Sequence, residues 1–324
     1  MGRPVLHVVS HGPHCFDGAT AAAAVARFHE GADVRTTFAD NSEVNRVLAS
    51  LRAKRGEQVW ITDLSWNDPD AEAHLRQLIA DGVAVHWFDH HRTAIERLAA
   101  GGYQLAFATR VVTDEFAAAK LVYDHLARQA EVAAGGAGGP ERFRSFARVV
   151  ALADDNDRWL HRLPGSRELA LTLRGMPAGE AYRALLELDE RVTDTPAMAA
   201  ARARVGEELE RNRRLAEATR VTHDLGSVKL TSALCDGYAG EIADEWGRTS
   251  PRTVFGLFDV RSLSVSFRRS PDLDFDLSKL AEACGGGGHP AASGATVSGL
   301  APALGAVVSE RVAGEAKKLL SEKE

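Results

Sequence analysis

Three of the four short apolar runs in the first ninety residues stop at side chains able to hold a metal ion, and helix-forming stretches separate the runs. Val5–Val9, Val34–Phe38, Val59–Thr62 and Val83–Phe88 read as strands. Ala19–Phe28, Glu43–Lys54 and a segment opening at Asp68-Pro69 read as helices, the last with proline in its first turn. Strands alternating with helices of about a dozen residues predict right-handed crossovers and a parallel sheet covered on both faces. His11, His14, Cys15 and Asp17 follow the first run, Asp63 the third, and Asp89-His90-His91 the fourth. In open parallel sheets ligands bind beyond the carboxyl ends of the strands, so these segments are expected to converge on one edge.

At roughly 150 residues per domain, 324 residues make about two domains. The middle reads as mostly helical: Phe116–Ala130 and Phe143–Ala153 bracket the Gly135–Pro140 loop, and the second ends in Asp154, Asp155, Asn156 and Asp157. From Val221 the texture changes to short strands, Val228–Leu230, Val254–Leu257 and Leu263–Phe267. The expected organisation is an α/β chain of two lobes. An N-terminal parallel-sheet domain (1–195) is followed by a helical linker (196–222) and a smaller C-terminal α/β domain (223–324).

Hydrophobic residues at 45% and charged residues at 26% supply ample core material and exclude a disordered tail or a coiled rod. No apolar run approaches the roughly 18 residues of a membrane span, no signal-peptide core opens the chain, and three cysteines are too few for a disulfide scaffold. The expectation is a cytoplasmic protein with no membrane partner. A net charge of −6 argues against stable binding to duplex nucleic acid, whose phosphates call for a basic surplus, and leaves room for a short or small phosphorylated substrate.

Carboxylates with imidazoles at strand ends suit divalent ions such as Mn²⁺ or Mg²⁺, because a cation neutralises carboxylates that would otherwise raise one another's pKa. Taken singly, Asp63 could cap a helix and His11 could be structural; three successive strand ends favour a site. A second cluster, Cys284-Gly285-Gly286-Gly287-Gly288-His289-Pro290-Ala291-Ala292-Ser293-Gly294, lets backbone approach a ligand and points N–H groups at an anion, with nearby alanines reading as helix formers. Val265–Ser270 alternates like a strand and presents Arg268 where a phosphate could be gripped, or as a solvated edge charge. His7, His86 and His161 read as structural. The five tryptophans read as core or rim packing, with Trp159, beside the acidic run, placed to shape a pocket.

Asp89-His90-His91 followed by Arg92-Thr93, together with the later Gly-Gly-Gly-Gly-His-x-x-Ala-x-Gly pattern, resembles the DHH phosphoesterase family with its DHH-associated C-terminal domain. The resemblance spans essentially the whole chain and points to the oligoribonuclease and nucleoside-bisphosphate phosphatase branch. It implies two divalent ions, Mn²⁺ by preference, with His11 on one, Asp17 and His90 on the other, and Asp63 bridging them. It makes Asp63, Asp89, His90 and His91 the catalytic group, Asp89 orienting its neighbours and His91 facing substrate phosphate. A further acidic ligand falls on Asp155, the first choice, or Asp157. Arg268, Gly286, Gly287, Gly288 and His289 would grip the substrate's phosphate or nucleotide end.

One position departs from the pattern: Cys15 stands where the family carries an acid. A thiolate is softer than a carboxylate and favours Zn²⁺ or Fe²⁺. Either Cys15 is a ligand, His14 takes its place, or that metal position is weak; as a non-ligand, Cys15 would be a small packing residue. The implied activity is hydrolysis of short oligonucleotides or small nucleotides, such as bisphosphates and linear dinucleotides, by a metal-activated water. A catalytically inactive nucleotide-binding sensor is the competing reading, and a homodimer is compatible with either.

Overall fold

A computed structural model describes residues 2–134, 139–296 and 300–321. Most of the expected Gly135–Pro140 loop therefore lies outside the described residues. The chain divides into two compact units, Met1–Val205 and Gly206–Glu324.

In the first unit β1 (Val5–His11), α1 (Phe16–Phe28), β2 (Asp33–Ala39), α2 (Val44–Ser50) and β3 (Gln58–Thr62) alternate. The pattern continues through α3 (Pro69–Ala80), β4 (Ala84–Asp89), α4 (Arg92–Ala99) and β5 (Thr109–Val112). The five strands form a parallel sheet in the order β2-β1-β3-β4-β5. Successive side chains along a strand point to opposite faces, and here both faces are covered, which explains the unbroken apolar runs. Leu6, Val8, Trp60 and Phe88 pack on one side with α1 and the helices after β5, while Val9, Val59, Ile61 and Trp87 pack on the other with α2 and α3. Those later helices are α5 (Ala118–Ala134), α6 (Glu141–Arg144), α7 (Ala147–Asp157), α8 (Ser166–Arg174) and α9 (Ala178–Glu187).

The helix expected over Glu43–Lys54 is shorter. It stops at Ser50 because Leu51 turns to extended backbone (φ −61°, ψ 136°), and its carbonyl accepts a hydrogen bond from His74 Nε2 at 2.8 Å. The Asp68-Pro69 start forms as expected, with the Asp68 carboxylate accepting from the Asp70 and Ala71 amides.

A single helix, α10 (Pro196–Ala218), runs through the boundary between the units. The second unit holds β6 (Val221–Asp224), β7 (Lys229–Cys235), α11 (Ala239–Gly247), β8 (Thr253–Asp259) and β9 (Ser264–Arg269). It ends with α12 (Leu277–Ala283), β10 (Gly287–His289), β11 (Ala292–Thr296) and α13 (Leu300–Ser321). Its mixed sheet runs β10-β11-β9-β8-β7-β6. The alanines after His289, read from sequence as helix formers, instead form a turn at Ala291 and open β11 at Ala292. The glycines serve this packing: a Cβ on Gly286 would lie 2.1 Å from the Gly294 carbonyl oxygen, and Gly288, at φ +136°, would press on Ser293 at 2.7 Å. Among the described residues no helix is long and apolar enough to cross a membrane.

Candidate metal centre

The carboxyl edge of the parallel sheet gathers His11, Cys15, Asp17, Asp63, His90, His91 and Asp157. Each arrives for a local reason. Cys15 is the N-cap of α1, its sulfur accepting from the Gly18 amide, and Asp17 lies in the first turn beside it. Asp17, 1% exposed, is pinned by the opening of α5, whose Ala118 and Ala119 amides each donate to one of its oxygens at 2.8 Å. Gly18 has to be glycine, since a Cβ there would meet the His11 carbonyl oxygen at 2.2 Å and Asp63 Oδ2 at 2.9 Å. Asp63 follows β3 in a left-handed backbone conformation (φ 57°), tied to β4 by its amide donating to the Phe88 carbonyl.

The two oxygens of Asp63 face different partners. Oδ2 lies 3.2 Å from Cys15 Sγ and 3.4 Å from His11 Nδ1. Oδ1 lies 3.2 Å from His90 Nε2 and 3.8 Å from His91 Nδ1. His90 Nε2 also stands 3.4 Å from Asp157 Oδ2 and 3.7 Å from Asp17 Oδ2. Ligand-capable atoms thus form one group of His11, Cys15 and Asp63, another of Asp17, His90 and Asp157, and a third of Asp63, His90 and His91, within 4.8 Å of one another in each group. Asp89, fully buried, stays behind them: Oδ1 accepts from the His90 and His91 amides and, at 2.7 Å, from His91 Nδ1.

The electrostatics show a site short of positive charge. Burial, reinforced by Asp63, pushes the Asp17 carboxyl well above the usual range, and burial raises Asp157 too. Burial and the same carboxylates raise the Cys15 thiol. Burial opposes a charge on His90, yet the Asp63 carboxylate 3.2 Å from its Nε2 and the fields of Asp17 and Asp157 outweigh it and lift the imidazole to about 10. Asp63 is the one carboxyl held down, because its His11 and His90 partners overcome the penalty of burial. Meanwhile Asp63 Oδ1, Asp89 Oδ2 and His90 Nε2 are buried without a hydrogen-bond partner. Crowded carboxylates, aimed imidazoles and orphaned buried donor atoms fit divalent cations.

Two positions behave differently from the reading of the sequence. Asp155, the first choice for the further acidic ligand, does not join the cluster. Its carboxylate accepts from the Arg162 and Leu163 amides and the Ser166 hydroxyl, at 2.9, 3.2 and 2.6 Å, which turns it into the loop after α7. One helical turn holds 3.6 residues, so the side chain two positions on points elsewhere, and Asp157 is the one facing His90. His14 is likewise engaged away from the cluster, donating from Nε2 to the Met176 carbonyl at 2.9 Å. Sequence reasoning assigned no role to Gly18 and missed the Ala118 and Ala119 amides, which no local signal announces.

In the second unit Arg268, Ser264, Ser266, Gly286, Gly287 and Gly288 line a cavity of about 550 Å³. Burial lowers the Arg268 guanidinium's pKa, with Glu241 opposing, and its Nη1 donates to Ser266 Oγ and the Phe267 carbonyl. His289 contributes backbone to β10, and its side chain lies outside the described residues.

No protein-family model and no curated protein matches the sequence. Solved structures do match. A pGpG-specific phosphodiesterase from Vibrio cholerae, PggH, is 12% identical, with 96% of this chain and 99% of that chain covered and a TM-score of 0.56. RecJ from Thermus thermophilus, solved in complex with Mn²⁺, is 18% identical at the same TM-score of 0.56. That match covers 97% of this chain and 52% of RecJ, so the chain spans about half of RecJ's length. The chain has the two-domain α/β fold of these proteins, which is the fold class expected from its sequence.

Proposed function

We propose that this chain is a metal-dependent phosphoesterase that hydrolyses short oligonucleotides or small nucleotides. The observation that carries the reading is Asp63, whose two carboxylate oxygens each face a separate set of donors. One carboxylate shared between adjacent donor sets is the arrangement that holds a pair of cations. His11, Cys15 and Asp63 would hold one ion; Asp17, Asp63, His90 and Asp157 would hold the other. When bound, such a pair acidifies water and offsets charge on a phosphoryl group.

The chain's own residues do the rest. Asp89 accepts a hydrogen bond from His91 Nδ1 and, with Asp63, favours the protonated ring against the penalty of burial, so that Nε2–H can donate to a phosphoryl oxygen. Ala118 and Ala119 hold Asp17 so that it cannot swing away from His90. Arg268 and the Gly286–Gly288 backbone, which line the cavity of the second unit, would bind a phosphate or nucleotide group. The names of the fold neighbours, a pGpG-specific phosphodiesterase and a Mn²⁺-bound RecJ, support this chemistry.

The deciding experiment is hydrolysis by metal-free protein, then with Mn²⁺, Mg²⁺, Zn²⁺ or Fe²⁺, of a short oligoribonucleotide, a nucleoside 3′,5′-bisphosphate, a linear dinucleotide and a plain phosphodiester reporter. Metal-dependent cleavage of a nucleotide substrate is the expected result. Nucleotide binding without turnover under every metal would replace this reading with a sensor.

A further inference from the structure

The loop that Asp155 organises has its own purpose to explain. Trp159 and His161 both sit at left-handed backbone angles, φ 54° and 48°. For side chains this bulky such conformations are costly and persist only where the surroundings enforce them. The enforcement comes from Asp155. Its carboxylate takes the Arg162 and Leu163 amides and the Ser166 hydroxyl, while its carbonyl accepts the Leu160 amide at 2.9 Å and the His161 amide at 3.4 Å.

The product is an indole held out of the core. Trp159 is 47% exposed, whereas Trp60, Trp66 and Trp87 are 1% exposed or less. Its ring lies 4.5 Å from the His161 ring, and the Arg167 guanidinium sits 5.5 Å from its centroid. Two residues before it, Asp157 belongs to the cluster around His90. A strained, braced and exposed aromatic two residues along the chain from a charged centre matches the way single-stranded nucleic acid is held, with bases stacked on aromatic faces and arginine adding a cation–π contribution.

We propose that Trp159 is a stacking platform for an unpaired nucleobase next to the phosphate handled at the Asp63 cluster, with Asp155 as the positioning residue that holds it there. The proposal rests on the phosphoesterase reading and narrows its substrate class. The substrate carries a base adjoining the cleaved phosphate, of any identity because every base has a π face, so inorganic pyrophosphate and sugar phosphates are poor substrates.

The test compares a linear diribonucleotide with an analogue lacking its bases. In the wild type the abasic analogue should have a KM about 10-fold or more above that of the dinucleotide. In Trp159→Ala that ratio should fall toward one, and Trp159→Phe should recover most of it. Asp155→Asn should shrink the ratio while the bound-metal content stays at the wild-type level. A ratio unchanged in Trp159→Ala overturns the proposal. If the wild type cleaves neither compound, the phosphoesterase reading fails, and stacking is read separately by fluorescence. A 5′-mononucleotide should then quench the wild type more than Trp159→Phe, with ribose 5-phosphate quenching neither; equal quenching of both proteins overturns the platform.

Discussion

His90 and His86 lie four residues apart in one stretch of chain, one just beyond the carboxyl end of β4 and the other inside it, and their appetites for a proton are opposite. The Asp63 carboxylate, with Asp17 and Asp157 nearby, lifts His90 to about 10 in spite of its burial. Burial drops His86 to about 4, helped by His125 and His29. His86 stacks on Trp60 with centroids 4.2 Å apart, and His29 and His125 approach the same indole at 5.8 and 6.4 Å. The Nδ1 of His86 and the Nε2 atoms of His29 and His125 are buried without hydrogen-bond partners. One region collects negative charge and wants a cation; the other is dry, aromatic and wants none. The difference lies in what the neighbouring elements bring. At the strand end the turns deliver carboxylates, and at mid-strand the covering helices deliver rings.

The sharpest way to break the contrast is to remove the carboxylate on which the charged region turns. Asp63→Asn, which keeps the left-handed backbone well populated, is expected to lower turnover to background and to bind fewer than two ions per chain by metal analysis. Turnover with two ions retained would show that Asp63 does not bridge. Next in size is the Asp155 and Asp157 pair. Asp157→Asn should weaken metal binding about 10-fold or more in a titration with Mn²⁺. Asp155→Asn should leave the metal titration alone and lower the melting temperature instead, since it weakens one buried and two part-buried hydrogen bonds at about 1–3 kcal/mol in total.

The dry region makes a prediction about acid. His86 has a folded pKa of about 4, below its unfolded value of 6.5, so between those values the unfolded chain binds the extra proton. Stability attributable to His86 is therefore complete above pH 6.5 and is lost as pH falls toward 4, on the order of 3 kcal/mol in all. Denaturant unfolding at about pH 7 and about pH 4.5 should show a smaller loss for His86→Phe, which keeps a ring against Trp60, than for the wild type. An equal loss in both proteins would place the acid sensitivity elsewhere. The smallest effect is expected at Cys15. Cys15→Ser keeps an N-cap acceptor for the Gly18 amide, so the fold should hold. Its preference in competitive loading should move several-fold from Zn²⁺ or Fe²⁺ toward Mn²⁺.

The charged region was largely legible. His11, Cys15, Asp17, Asp63, His90 and His91 follow strands whose apolar runs announce themselves, and parallel topology then brings strand ends together. The helical region after β5 was less so. Asp155 and Asp157 sit two residues apart on one helix, and nothing local says which direction faces the cluster. The dry region was legible only as separate residues. His29, His86 and His125 come from α1's cap, β4 and α5, and a sequence has no term for their meeting on Trp60. Nor could it show that the glycine run becomes an edge strand, because that depends on how closely Gly286 must approach Gly294.

By itself the sequence determined the alternation of strand and helix, the parallel sheet, and the set of polar residues at its carboxyl edge, since periodicity and turn chemistry are local properties. Only the tertiary structure decided that the two oxygens of Asp63 look toward different partners, that Asp157 and not Asp155 meets His90, and that His90 meets carboxylates while His86, four residues earlier, meets aromatic rings. Those outcomes depend on distances of a few ångströms between segments remote in the chain. Charge–charge interaction and desolvation vary steeply over such distances, and no local pattern of residues encodes them.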